Sequence, residues 1–236
     1  MAISEISTKE NWLQTSTLTE SRRCEIIKRQ KFSNELILQI WDSLTPPLKE
    51  TIIRTQENLS IEFLVDQLES LISKPPLVVA LLERRQVPLA VIEKNWNVWL
   101  SHNEIIYCVL AYQGCLTIAF LKSVWHTIQT FHHIAIPANA LLDKKLLNQL
   151  WDLLDPAEQT ARAVLIKRQL KSDWTSLVAH LFCLTETELQ MVAEDFNFVL
   201  GLPNANLIPM LVSKSKSVRD GTLVSLRKFN IAEVVK

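Results

Sequence analysis

Glycine is scarce in this chain: three residues in 236, at Gly114, Gly201 and Gly221. So few leave little material for a glycine-rich phosphate cradle, and neither GxxxxGK(S/T) nor GxGxxG occurs. Scarce glycine also argues against hairpin-rich β-structure, whose tight turns draw on it. Surplus charge is lacking too: 25 Lys and Arg face 25 Asp and Glu. A nucleic-acid binder ordinarily carries an excess of cations to displace counterions, so that class loses ground. The four cysteines, Cys24, Cys108, Cys115 and Cys183, form no CxxC pair. Three of them fall in apolar helical runs and read as buried free thiols of a reducing compartment, which points to the cytoplasm. The first residues, MAISEISTKENW, lack the basic start and apolar centre of a secretory signal. The longest uncharged run, IIYCVLAYQGCLTIAFL at 105–121, approaches membrane-spanning length but is broken by Gln113 and Gly114. It is expected to fold as two buried helices with a turn between them.

What the chain does contain is a repeated phrase. Residues 26–41 read IIKRQKFSNELILQIW, and 165–182 read LIKRQLKSDWTSLVAHLF. Aligned on the Gln, the phrase also covers TIIRTQENLSIEFLVDQL, ALLERRQVPLAVIEKNW and CVLAYQGCLTIAFLKSVW. The aligned residues are Gln30, Gln56, Gln86, Gln113 and Gln169, spaced by 26, 30, 27 and 56. The last gap is twice 28; the skipped unit centres near Ala140, where NALLDKKLLNQLW keeps the second half and loses the Gln. Two weaker units follow, around EDFNFVLGLPNANLIPML and LVSLRKFNIAEVVK.

Each part of the phrase has a physical role. LTES, LTPP, SKPP, LDPA and LTET recur before the first helix of a unit. A Thr, Ser or Asp there caps free N–H groups, and Pro fits the first turn. The apolar pair before the Gln belongs to that first helix. Ser33, Ser60, Pro88, Thr117 or Ser172 then starts a second one. The Gln is expected to bond backbone at the turn between them, where the last carbonyls lack donors. Two short helices cannot bury their apolar faces alone, so stacked units must share a core. The expected fold is all-α: a right-handed α-solenoid of about seven or eight two-helix repeats of 26–30 residues, over 17–236, after a flexible tail at 1–16.

The phrase LVVALLERRQVPLAVIEKNW at 77–96 resembles the short HEAT-like α-helical repeats of many scaffold proteins. The resemblance extends over 20–228 and implies a curved superhelix with a binding role and no shared catalytic residues.

The search for chemistry returns little. No GxSxG is present, and Ser213 to Lys216 match SxxK only formally, in a polar connector. His126, His132 and His133 follow Cys108 and Cys115 without a close ligand pair, so they read as core or surface histidines. Glu194 with Asp195, and Asp152 with Asp155, read as water-facing acids. No catalytic residue, metal or cofactor is expected. Trp41, Trp96, Trp125 and Trp151 recur late in the second helix and are expected between repeats. Trp12 and Trp99 have no equivalent and are expected as exposed anchors.

Basic residues recur at the end of the first helix, where they suit the negative end of the helix dipole. Lys28, Arg29, Arg54, Arg84, Arg85, Lys167 and Arg168, with Trp99, form the candidate partner-binding set, since repeats align such positions along one face. The expected function is a non-catalytic protein-binding adaptor, scaffold or subunit of a multiprotein assembly, such as a bacterial secretion-type complex. The alternatives are an enzyme on a HEAT-like scaffold, such as a nucleic-acid glycosylase, and a peripheral membrane-associated helical protein.

Overall fold

The computed structural model describes residues 6–84, 86–172, 180, 183–185 and 187–188, with the backbone alone at 69 and 170–172. The weak C-terminal units, Trp174, Glu194, Asp195, the Ser213–Lys216 motif and Arg85 lie outside the described residues. Contacts divide the chain into two compact units, Met1–Cys115 and Leu116–Lys236.

The regular elements among the described residues are all helices, and none of these residues forms a strand. In the first unit run α1 (Lys9–Gln14), α2 (Glu20–Arg29), α3 (Asn34–Ile40), α4 (Pro46–Thr55), α5 (Ile61–Asp66), α6 (Leu68–Leu71), α7 (Pro75–Arg84), α8 (Leu89–Trp99) and α9 (Asn103–Tyr112). The second holds α10 (Ile118–Val124), α11 (Ala135–Ala138), α12 (Lys144–Gln149) and α13 (Gln159–Ser172). The run at 105–121 is indeed two helices, α9 and α10, parted at Gln113 and Gly114. No helix among the described residues is long and apolar enough to cross a membrane.

Most of the start signals among the described residues work as expected, although Thr45 of LTPP makes no cap bond and donates to Glu20 instead, and Asp143 caps without having been marked. Thr19, Ser33, Ser60, Thr117 and Asp143 each accept a bond from the backbone N–H three residues on. Prolines 46 and 47 occupy the first turn of α4. The stop signal is the repeated Gln. Gln30, Gln56 and Gln113 are the C-caps of α2, α4 and α9: each turns to extended backbone while its N–H still bonds the preceding turn. Gln169 departs from this pattern. It lies inside α13, which runs to Ser172, so no turn separates Gln169 from Ser172.

The apolar pair before each Gln forms the core. Ile26–Ile27, Ile52–Ile53, Leu81–Leu82, Val109–Leu110 and Leu165–Ile166 are all buried. Each such side chain stabilises by roughly 1.5–3 kcal/mol relative to exposure. In the first unit these pairs meet because α2 packs on α4, α4 on α7 and α7 on α9. In the second, α11 packs on α13.

Trp41 and Trp151 are buried, as expected, each at the point where a helix tightens into a 3₁₀ turn. Trp41 meets Phe63 of the following second helix edge-to-face, with ring centres 5.1 Å apart. Trp96 is buried and Trp125 half-buried.

Two expectations fail here. Trp12 is fully buried, because 9–14 is a helix and not part of a flexible tail. Thr8 caps α1, Trp12 packs against Phe32, and the Arg23 guanidinium lies over its ring at 4.3 Å. Trp99 is fully buried as well. Helix α8 runs on to Trp99, and three residues of helix carry it to the same face as Trp96. Neither tryptophan is an exposed anchor.

Candidate interaction surface

The repeated Gln side chains tie the first helices together at one end. In the first unit, Gln56 Nε2 donates to Ile27 O and Gln30 O at 2.8 and 2.9 Å, and Gln56 Oε1 accepts from Phe32 N at 2.8 Å. One side chain thus serves three groups of the preceding turn. Gln30 reaches back in the same direction, its Oε1 accepting from Ile6 N at 3.0 Å. Gln113 Nε2 donates to Leu82 O at 2.6 Å, and its Oε1 accepts from Val87 N at 2.7 Å. Gln86 reaches the other way, to Tyr112 O and Gly114 N, both at 2.8 Å. The expectation of a backbone-bonding Gln holds for these four, with one refinement: the turn each bonds belongs to a neighbouring segment and not its own. Both Gln56 and Gln113 are buried, so these bonds replace water that cannot reach the turn.

The step from α4 to α7 is joined differently. Arg54, at the end of α4, bonds Glu50 on its own helix at 2.9 Å and also Glu83 on α7. Burial works against the Arg54 charge, but the bonds to Glu83 and Glu50 outweigh it and raise its pKa above the ordinary value. Together these contacts place the C-terminal ends of α2, α4, α7 and α9 along one edge of the first unit.

That edge brings together four of the candidate residues. Lys28 and Arg29 stand exposed at the end of α2, Arg54 is half-buried, and Arg84 is exposed at the end of α7. Lys28 bonds Glu25 at 3.0 Å, and Arg29 lies 4.0 Å from the same carboxylate. The hydrogen bond from Lys28, then its charge, holds the Glu25 carboxyl below the usual range. Arg54 is committed to Glu50 and Glu83, which leaves it as a joint more than a contact. Trp99 is in the core, away from solvent.

Residues that the repeat alignment did not mark also lie here. Lys31, just past the end of α2, is exposed and makes no ion pair among the described residues. Lys28, Arg29, Gln30, Lys31, Thr55, Gln56 and Glu57 line a half-open groove of about 270 Å³ between the ends of α2 and α4. Tyr112, at the end of α9, is exposed and meets Tyr107 edge-to-face at 6.5 Å. Lys31 was visible in the phrase KRQK; the tyrosines had no signal beyond one helical turn between them.

In the second unit, Lys167 is exposed. Arg168 is not an open contact. Its guanidinium donates to Pro137 O at 3.1 Å, to Leu142 O at 2.7 Å and to Asn139 O. These carbonyls belong to the unit that lost its Gln, and Arg168 ties that turn as Gln56 ties the one before it. Burial lowers the Arg168 pKa. Gln169, freed from that role, accepts from Trp151 Nε1 at 3.1 Å and donates to Asn148 Oδ1 at 2.9 Å.

Two further clusters occur in the second unit. Arg162 and Glu188, both buried, form a two-point ion pair at 2.8 and 3.2 Å. Glu188 also accepts from Thr185 N, and Thr185 Oγ1 accepts from Glu188 N, which makes a capping box. His133, read from sequence as core or surface, is buried; it stacks on Trp125 at 4.0 Å and bonds Glu158 Oε2 at 2.6 Å through Nδ1. Beside it, Thr130, Phe131, Ile134 and residues 157–161 line a half-open groove of about 610 Å³. No three His, Cys, Asp or Glu side chains converge to hold a metal among the described residues. Cys183 is exposed, against the expectation of burial; Cys108 is buried, and Cys24 and Cys115 are half-buried.

The chain matches no protein-family model, no curated protein and no solved structure.

Proposed function

We propose that the protein is a non-catalytic, protein-binding α-solenoid of short HEAT-like repeats, working in the cytoplasm as an adaptor, scaffold or subunit of a larger assembly. The observation that carries this reading is the edge of the first unit. Cross-bonded Gln residues there fix the ends of α2 and α4, and of α7 and α9, as neighbours. Exposed side chains from several units thereby share one rigid rim, the arrangement repeat proteins use to bind an extended partner. The Gln side chains and Arg54 of this rim are taken up in backbone bonds and ion pairs that hold the fold, which leaves Lys31 and Arg84 as its open charges. The assembly served, bacterial secretion-type or other, follows from the partner.

The test is purification of the tagged, full-length protein from its native cells, with mild cross-linking and mass spectrometry. A partner recovered in stoichiometric amount supports the reading. Repeated recovery of the protein alone, or a turnover activity in the pure protein, overturns it.

A further inference from the structure

Resting on that reading, we infer that the groove between the ends of α2 and α4 takes an extended acidic segment of the partner, rich in Asp and Glu. The charge of the edge is unbalanced toward cations that have no acid of their own. Lys31 and Arg84 are exposed and make no ion pair or side-chain hydrogen bond among the described residues. Lys28 and Arg29 share a single carboxylate, Glu25. Of the nearby acids, Glu50 and Glu83 are held by Arg54, and Glu57, on the groove wall, is a single carboxylate against the three cations that line it. The groove is polar, with Lys28, Arg29 and Lys31 on one wall and Thr55 and Glu57 on the other.

Its shape and chemistry favour a peptide over a nucleic acid. At about 270 Å³ the groove admits a few side chains and not a folded surface. None of its lining residues is aromatic, so it offers no platform on which bases could stack. Glu57 on its wall would repel a phosphodiester lying in the groove. A peptide is free to place a carboxylate opposite each cation and a neutral residue opposite Glu57. Helices packed side by side lie about 8–10 Å apart, so an extended chain of roughly five or six residues runs from the α2 end past α4 to the α7 end.

The test uses the full chain and a fluorescein-labelled synthetic peptide of alternating Asp and Glu, read by fluorescence anisotropy. Wild type is expected to bind, and binding is expected to weaken as salt rises from about 50 to about 500 mM. The variant K28E/R29E/K31E is expected to bind roughly tenfold more weakly or worse, the combined loss of three exposed pairs. The control K144E/K145E, a basic pair exposed on α12, is expected to bind as wild type does. A second variant, K28Q/R29Q/K31Q, removes the charge without adding repulsion, and thermal melts check that both groove variants fold. No binding by wild type, or equal loss in groove and control variants, overturns the inference. So does tighter binding of a labelled oligothymidylate through the same three residues. If a native partner stays on K28E/R29E/K31E, the groove assignment fails while the adaptor reading stands. If the peptide binds as expected but no native partner is ever recovered, the adaptor reading fails and the groove assignment stands.

Discussion

Gln86 and Gln113 each bond the backbone turn that carries the other. Gln86 reaches Tyr112 O and Gly114 N on either side of Gln113. Gln113 reaches Val87 N, just beyond Gln86, and Leu82 O in the last turn of α7. The two bonds differ in burial: Gln113 has no exposed surface, whereas Gln86 is exposed. Water can stand in for the second and not for the first. Gln113→Ala leaves buried Val87 N–H and Leu82 C=O groups unpaired and is expected to cost roughly 2–4 kcal/mol. Gln86→Ala is expected to cost less than about 1 kcal/mol. Urea unfolding of both variants decides the matter; equal losses would mean the buried bond is no more than a surface contact.

Trp41 and Trp151 close their units against the next ones, one on Phe63 and the other on Gln169. Replacing either with Ala is expected to cost about 3–5 kcal/mol. Trp12→Ala is expected to fall in the same range, since α1 is part of the packed unit. Thermal melting reads all three, and a wild-type melt for Trp12→Ala would return residues 6–16 to the role of a tail.

Arg162 and Glu188 form an ion pair with almost no exposure. Removing one partner strands the other as a buried charge, at about 3–5 kcal/mol. Arg162→Met is therefore expected to be strongly destabilising. Adding Glu188→Leu is expected to restore part of the loss, although the bond to Thr185 N goes with it. A double-mutant cycle in urea checks this: strict additivity of the two losses sinks the pairing.

Burial, with Glu83 adding to it, pushes the Cys108 thiol up to about 12 from its ordinary 9.0. Cys115 is raised as well, by burial. Iodoacetamide on the native protein is expected to label Cys183 first and Cys108 last, read residue by residue by mass spectrometry. The same shift has a thermodynamic side. A folded thiol that holds its proton more tightly than the unfolded one stabilises below the unfolded pKa. That contribution is present below about pH 9 and is lost as pH rises toward about 12. Cys108→Ala is expected to flatten the alkaline fall in stability over that window. Early labelling of Cys108 would place the thiol at the surface.

The start and stop of the helices were legible from the phrase itself. Ser33, Ser60 and Thr117 cap where their chemistry says they must, and the apolar pair before each Gln lies in the core. The turn role of the Gln was legible too, but its reach was not. Whether a side chain bonds its own turn or the neighbour's depends on how the helices pack, which no local pattern encodes. The same gap explains Arg168. By sequence it matched Arg29, yet it faces three carbonyls of a turn without a Gln and is drawn in to bond them. Trp99 was misplaced because it lacked an equivalent in other units; α8 is longer than α3 or α5, and its extra turn is what buries Trp99. Glu188 stands 26 residues from Arg162, one repeat length on, but the alignment, anchored on the Gln, did not mark the pair.

The step from Gln56 to Gln86 is 30 residues, against 26 and 27 for its neighbours in the first unit. The surplus sits in the returning limb, where the extra helix α6 follows α5; the ends of α4 and α7 stay bridged by Arg54 and Glu83. Length is therefore negotiable on one side of each unit only. Residues added between Leu71 and Lys74 lengthen a return that already varies, and the tied edge does not feel them. Residues added beside Gln113 would shift the groups it bonds out of reach and unfasten α7 from α9. A tag, a reporter or a natural insertion in this chain thus has a permitted side and a forbidden one, and the Gln side chains draw the line between them.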